Sequence, residues 1–458
     1  MEIFISLFQQ VLFGVVLIAF GVLLTDRIGF IKTNIQMGKP LDRNDRKVER
    51  FKAMLLFAFG QKKMFDRPLV GLMHFVIYAG FLIINIEVLE IMLDGLLGKH
   101  RLFASLLGGF YPILINFFEF LALGVVLVCL IFLVRRNSHL IPRFWSREMK
   151  GFPVLDGNLI LIFEIMLMFF LFTMNAADSI LQTRGAENLY IKEHYPVVGS
   201  FLVSQVFIPL YRDMDTMSLF YLERLAWWVH ILGIMSFGIY VTYSKHLHIG
   251  LAFPNTYFSN LAPKGKFENM PVVTAEVKSM LGITDATSSV VESSGTIGRF
   301  GAKDVEDLTW KNLMEAYSCT ECGRCTSVCP ANITGKLLSP RKIMMDTRDR
   351  MEEKGNNLRF YGQGYDDGKS LYGDYITKEE IFACTTCNAC VEACPVNINP
   401  LDIIVQVRQY IAMEESGTPA QWNSMFANIE NNFAPWAFSP SDRFNWAEEL
   451  KNKDENKQ

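Results

Sequence analysis

The chain has 458 residues, half of them hydrophobic and 37 of them Phe, with a formal net charge of only −3. That length suits about three domains, the apolar content is too high for an ordinary soluble enzyme, and the weak net charge gives nucleic acid no handle as a partner. Residues 1–250 hold the long apolar runs, whereas 255–458 have an ordinary globular composition.

A membrane helix needs about 20 largely apolar residues. Five segments qualify: 4–24, 69–93, 112–134, 157–176 and 225–248. A shorter run over 197–211 reads as an interfacial helix, with part of a re-entrant segment as the alternative. The first span lacks a basic leader and a small-residue cleavage site, so it reads as a retained helix and not a signal peptide. Lys and Arg set the expected orientation. Residues 25–68 carry eleven and 135–150 carry five, whereas 94–111 hold only Lys99 and Arg101. This distribution predicts an N-terminus outside and a C-terminal domain in the cytoplasm of a bacterial inner membrane. Trp227 and Trp228 then fall at the outer mouth of the fifth span, where an aromatic belt is expected.

Seven His occur in the chain, and four fall in or at the ends of spans. His74 lies just inside the second span from its inner end, His230 near the outer end of the fifth, and His246 and His248 at its inner end. On one continuous helix His230 and His248, 18 residues apart, face the same side at a separation of about 27 Å. His74 and His248 share a depth and suit the two axial positions of one b-type haem. His246 points elsewhere on this count, and His230 has no His opposite it on the second span. Buried ionisable groups in a span are costly and usually functional. Glu87, Glu90, Glu119 and Glu164 also lie in the spans, with Glu87 and Glu119 the better candidates for proton handling near a quinone.

Eight of the nine Cys form two runs of one spacing, Cys319-x-x-Cys322-x-x-Cys325-x-x-x-Cys329-Pro330 and Cys384-x-x-Cys387-x-x-Cys390-x-x-x-Cys394-Pro395. In this arrangement three thiolates wrap one cubane and the fourth reaches the other. The expected ligand sets are Cys319, Cys322, Cys325 and Cys394 for cluster I, and Cys384, Cys387, Cys390 and Cys329 for cluster II. Zinc sites rarely use two identical four-Cys runs. Cys129 stands alone in an apolar run and reads as a packing residue. Helices are expected over 306–317, from Pro340 to about 353 and from Pro400 to about 414, with a surface loop over 355–375 and a flexible stretch from Thr284 to Gly301.

The predicted fold class is an all-α membrane protein. It has a five-helix transmembrane bundle over 1–254, a linker over 255–305, a helical dicluster ferredoxin-like domain over 306–415, and a tail over 416–458 suited to a partner.

The five-span region, with His74 on its second span and His230 and His248 on its last, resembles the haem-b gamma subunit of respiratory nitrate reductase. That family places two His on the second span, where this chain shows one. The segment Leu308-Thr-Trp310-Lys-Asn-Leu, the run Cys319-Thr-Glu-Cys322-Gly-Arg-Cys325, Cys329-Pro-Ala-Asn and Leu338-Ser-Pro-Arg341 resemble the iron–sulfur subunits of heterodisulfide reductases. They are also similar to the fused membrane oxidoreductases that include the electron-transferring flavoprotein:menaquinone oxidoreductases. The resemblance implies two 4Fe–4S clusters, haem b, menaquinone as substrate, and a quinone-linked oxidoreductase subunit. Fused relatives carry a cysteine-rich CCG domain next. Here Pro435-Trp436, Arg443 and Trp446 resemble the linker into it, but no Cys follows Cys394. A separate CCG-domain subunit is therefore the expected partner, with an electron-transferring flavoprotein or a flavin dehydrogenase as donor or acceptor. A redox-sensing or assembly protein, or the membrane subunit of a lactate or glycolate dehydrogenase, are the alternative functions. The chain has no Gly-rich dinucleotide fingerprint of its own.

Overall fold

The structure is a computed structural model that describes residues 2–185, 189–267, 269–283 and 299–448. Among the described residues five helices are long and apolar enough to cross a membrane: α1 (Glu2–Gln36), α2 (Pro68–Leu97), α3 (Tyr111–Asn137), α4 (Phe152–Thr183) and α5 (Thr216–Val241). Proline at the start of α2, α3 and α4 supplies a preset helical φ where no backbone donor is needed. α2 packs on α3, α3 on α4, and α4 along the length of α5. Their shared core includes Phe118, Ala122, Val125, Leu167, Leu171 and Ile231. α1 lies outside this layer with most of its apolar side chains exposed. Phe13 anchors it, with its ring centroid 5.2 Å from that of Trp227 and 5.9 Å from that of Trp228.

The fifth helix differs from the sequence reading. It begins at Thr216 because Asp215 caps it, its carboxylate accepting from Met217 N and Ser218 N at 3.1 and 3.0 Å. Glu223 and Arg224 are tolerated inside it because they pair with each other, and Glu223 also accepts from Tyr195 OH at 2.7 Å. Trp227 is consequently buried core rather than an interfacial belt residue. The helix ends at Val241. After a turn, Ser244 caps a short 3₁₀ segment, Lys245–Leu247, and His248 opens a new helix, α6 (His248–Tyr257). The single-helix geometry that set His230 and His248 on one face is therefore corrected.

The 197–211 run is likewise not one helix. It holds an irregular stretch, a 3₁₀ turn at Ser204–Phe207 and one α turn at Ile208–Tyr211. Glu119 on α3 holds it by accepting from Val203 N and Ser204 N at 2.8 and 3.3 Å.

The second body is helical too, built from α7 (Trp310–Ser318), α8 (Pro340–Tyr361), α9 (Lys378–Ala383) and α10 (Pro400–Met413), with α11 (Ala420–Asn432) beyond. α8 continues two turns past the expected end at 353, so the surface loop is shorter than the sequence suggested, and Leu371 returns into the core. Most of the Thr284–Gly301 stretch lies outside the described residues. A ten-residue helix, Pro271–Met280, precedes it. Past it, the chain is tied down by Ala302 N donating to Gln406 O at 3.0 Å.

α1 links the two bodies. Its last turns leave the bundle and enter the core of the second, with Ile31 buried beside Leu313 and Met351. Arg27 pairs with Glu352 at 2.7 Å, Asn34 Nδ2 donates to Tyr317 OH at 2.8 Å, and Lys39 N donates to Leu308 O at 2.7 Å. Asn34 packs so closely on α8 that a Cβ at Gly355 would collide with its amide.

Candidate functional site

The two cysteine loops are built alike. Each is preceded by a capping-box helix that ends at the first Cys. Thr309 and Asn312 cap α7, which runs into Cys319, and Thr377 and Glu380 cap α9, which runs into Cys384. In each loop the second and fourth residues after that Cys have positive φ: Glu321 at 53° and Gly323 at 69°, Thr386 at 55° and Asn388 at 61°. These left-handed residues curl the loop and turn amides toward the sulfurs, as with Thr386 N, 3.4 Å from Cys384 Sγ. In the first loop the Arg341 guanidinium lies against Gly323, so only glycine fits there.

The thiols fall into two neighbourhoods. Cys325 shares its surroundings first with Cys322, Cys319 and Cys394 and then with Cys390, while Cys390 shares its own with Cys384, Cys329 and Cys387. Burial pushes the Cys319 and Cys390 thiols up to about 12 and Cys394 up to about 11, so they stay neutral unless a cationic centre takes the thiolate. Among the described residues no three His, Cys, Asp or Glu side chains converge on a single point as ligands of one ion. A cubane does not require that, since each thiolate binds its own iron.

The first neighbourhood faces the bundle. Arg143 Nε, in the loop after α3, donates to Cys322 O at 3.0 Å. Lys63 Nζ, in the loop before α2, donates to Cys394 O at 3.2 Å, and Arg324 Nη1 donates to Lys63 O at 2.9 Å. Lys245 Nζ lies 2.6 Å from Glu321 Oε2, and Arg348 Nη2 lies 2.8 Å from Glu321 Oε1. Burial pushes Glu321 up, but Arg348 and Lys245 pull harder and hold it below the usual carboxylate range. In the second neighbourhood Cys387 is exposed.

His74, His246 and His248 meet where the bundle touches the first loop. The His246 and His248 rings are 5.2 Å apart, edge to face. Burial, then the neighbouring His248 and His74, push His246 well below its ordinary value, so it stays neutral. His74 Nδ1 donates to Gln61 Oε1 at 3.0 Å and His248 Nδ1 donates to Lys245 O at 3.1 Å. Each of these two rings thus has one nitrogen fixed by an acceptor and Nε2 left for a ligand, the usual state of a metal-binding imidazole. His230 is built the same way, with Nδ1 2.9 Å from Leu167 O, and its buried Nε2 has no partner among the described residues.

The acidic residues of the bundle have mostly structural partners. Arg101 donates to Glu87 at 3.2 Å and to Asp178 at 3.0 Å, and Glu90 accepts from Tyr111 OH at 2.8 Å. Glu87 Oε2 is buried without a partner among the described residues. His139 stacks on Trp145 at 3.7 Å. Sequence reasoning missed Lys245, Glu321 and Gln61, whose roles are long-range contacts without a local pattern. The repeated Thr capping boxes ahead of the Cys runs were readable as a second repeat signal.

A family model for the 4Fe-4S dicluster domain matches residues 318–398, and a second 4Fe-4S dicluster model matches 285–334. The cysteine-rich body is therefore a 4Fe–4S dicluster domain. The chain is 29% identical to the probable iron-sulfur-binding oxidoreductase FadF of Bacillus subtilis over 94% of its own length and 59% of that protein's. It is 26% identical to the EtfAB:quinone oxidoreductase of Syntrophomonas wolfei, covering 89% of this chain and 55% of that one. A third relative is one component of the dihydromethanophenazine:CoB–CoM heterodisulfide reductase of Methanosarcina mazei, 27% identical over 31% of this chain and 35% of its own. The chain spans little more than half the length of the first two. No solved structure gives a significant match.

Proposed function

We propose that the chain is a membrane-anchored oxidoreductase subunit that carries electrons between a soluble redox partner and the menaquinone pool. The order is partner, cluster II, cluster I, haem b held by His74 and His248, and quinone, or the reverse. Cluster I takes Cys319, Cys322, Cys325 and Cys394, and cluster II takes Cys384, Cys387, Cys390 and Cys329. The dicluster domain lies in the cytoplasm, on the side of the basic loops 25–68 and 135–150.

One observation carries this reading: Lys245 is bonded at both ends. Its ammonium holds Glu321, between Cys319 and Cys322, and its carbonyl holds the His248 ring. The histidines and the first cysteine loop are thereby adjacent, which electron transfer between them requires. The exposure of Cys387 supports cluster II as the entry point. The names of the two long relatives, an iron-sulfur-binding oxidoreductase and a quinone oxidoreductase, support the reaction class. A bound haem supplies a one-electron carrier. The residues of this chain orient its two imidazole ligands and leave each Nε2 free to bind.

The partner at cluster II is a CCG domain or a flavoprotein of the electron-transferring class. The experiment is a haem and iron count on purified protein with His74→Ala and His248→Ala variants. Each variant is expected to lose a low-spin haem signal while keeping both cluster signals. Full haem retention in both would overturn the ligand assignment.

A further inference from the structure

Basic side chains crowd the junction between bundle and dicluster domain without carboxylate partners. Lys63 and Arg67 precede α2, Arg135 ends α3, Arg143 follows it, and Arg324 sits in the first cysteine loop. Arg135 and Arg143 both lie over the Phe144 ring, at 5.8 and 5.1 Å from its centroid. Arg324 reaches Lys63 O, and Arg143 reaches Cys322 O. α2 packs along α3, which sets Arg67 at the start of one beside Arg135 in the last turn of the other. Among the described residues none of the five forms an ion pair. Asp66 acts on Lys63 and Arg324, whereas Glu321 is taken up by Lys245 and Arg348 and Glu148 by Arg341.

The charges do not cancel. Five cations face Asp66 and, with cluster I bound on four thiolates, a centre of about −2. About two positive charges remain, held together at a cost that a further anion would relieve. Their position names that anion. Arg67 is the residue before the first turn of α2 and Arg135 lies in the last turn of α3, so both stand where two spans meet the membrane surface. Ile131, one helical turn before Arg135, is exposed, as are Leu69, Val134 and Leu140 beside the cations. Cations above an exposed apolar apron suit a headgroup with acyl chains attached better than a free ion.

We propose that Arg67 and Arg135, backed by Lys63, Arg143 and Arg324, bind the phosphodiester of an anionic phospholipid in the leaflet next to the dicluster domain. The site does not depend on the electron route proposed above. It places a lipid charge beside the cysteine loop that faces the bundle.

The test uses the full chain, purified in detergent, titrated with phosphatidylglycerol or phosphatidylcholine and read by native mass spectrometry. Wild type is expected to retain phosphatidylglycerol at least about fivefold over phosphatidylcholine. Arg67→Gln/Arg135→Gln should lose that preference with its iron content unchanged, and Arg67→Lys/Arg135→Lys should keep it. Equal retention of both lipids by wild type overturns the proposal, whatever the variants do. So does an unchanged preference in the Gln variant. Displacement of the lipid by an equal concentration of inorganic phosphate also overturns it, by assigning the site to a soluble anion.

Discussion

Lys245 Nζ lies 2.6 Å from Glu321 Oε2, and both side chains are almost fully buried. The pair fastens the turn that carries His246 and His248 to the loop that carries Cys319 and Cys322. Replacing Lys245 by Met leaves Glu321 with Arg348 alone. Because one cation remains, the expected loss is about 1–3 kcal/mol, short of that for an abandoned buried charge. Thermal unfolding should show it. Electron transfer between cluster I and the membrane carrier should slow in the same variant while both cluster signals persist.

Arg350 holds together a different corner of the dicluster domain. It donates to Asp304 at 3.0 and 2.9 Å, to Asp367 at 2.6 and 3.0 Å, and to Lys369 O at 2.7 Å. Its hydrogen bonds hold Asp367 down to about 2. A carboxylate depressed in the folded state stabilises it fully above the unfolded value, about 3.9, and that contribution fades as pH falls through the folded one. Because Asp304 keeps Lys354 at 2.9 Å, Arg350→Met should cost about 1–3 kcal/mol at neutral pH. The gap between wild type and variant should narrow from about pH 4 toward pH 2. Urea unfolding across that range measures it, and a gap that widens in acid would contradict the assignment.

Cys387 is the exposed member of its set. Cys387→Ser is expected to lower iron from about eight to about four atoms per chain. It should remove one cluster signal and leave the optical spectrum of the membrane carrier intact. Cys322→Ser should remove the other signal and isolate the remaining cluster from that carrier. Iron analysis and low-temperature EPR read both outcomes.

Gly355→Ala tests the seam between α1 and α8. The added methyl meets the Asn34 side chain, which also donates to Tyr317 OH. An overpacked contact of this kind costs about 1–3 kcal/mol. The first effect should be faster proteolysis near residues 37–46, where α1 gives way to the loop.

Much of this was legible in the chain itself. The spacing of Cys319 to Cys329 and of Cys384 to Cys394 is local and chemical, so it survives without a structure. Five apolar stretches announce five long helices for the same reason. The ends of the fifth helix were not legible, because Asp215 and Ser244 act as caps through hydrogen bonds to backbone amides that hydropathy does not register. Glu223 and Arg224 look like a break in an apolar run until their pairing is seen. The meeting of Lys245 with Glu321 joins residues 76 apart. No periodicity points to such a contact, and it is what brings the histidines to the first cysteine loop.

The most direct test of the account is reduction of the oxidised, purified protein by a menaquinol analogue, followed by rapid optical spectroscopy and freeze-quench EPR. The account predicts a low-spin haem b band that reduces first, then cluster I and cluster II, with His248→Ala abolishing cluster reduction. Absence of haem from the wild-type protein, or quinol that leaves haem and clusters oxidised, would contradict it.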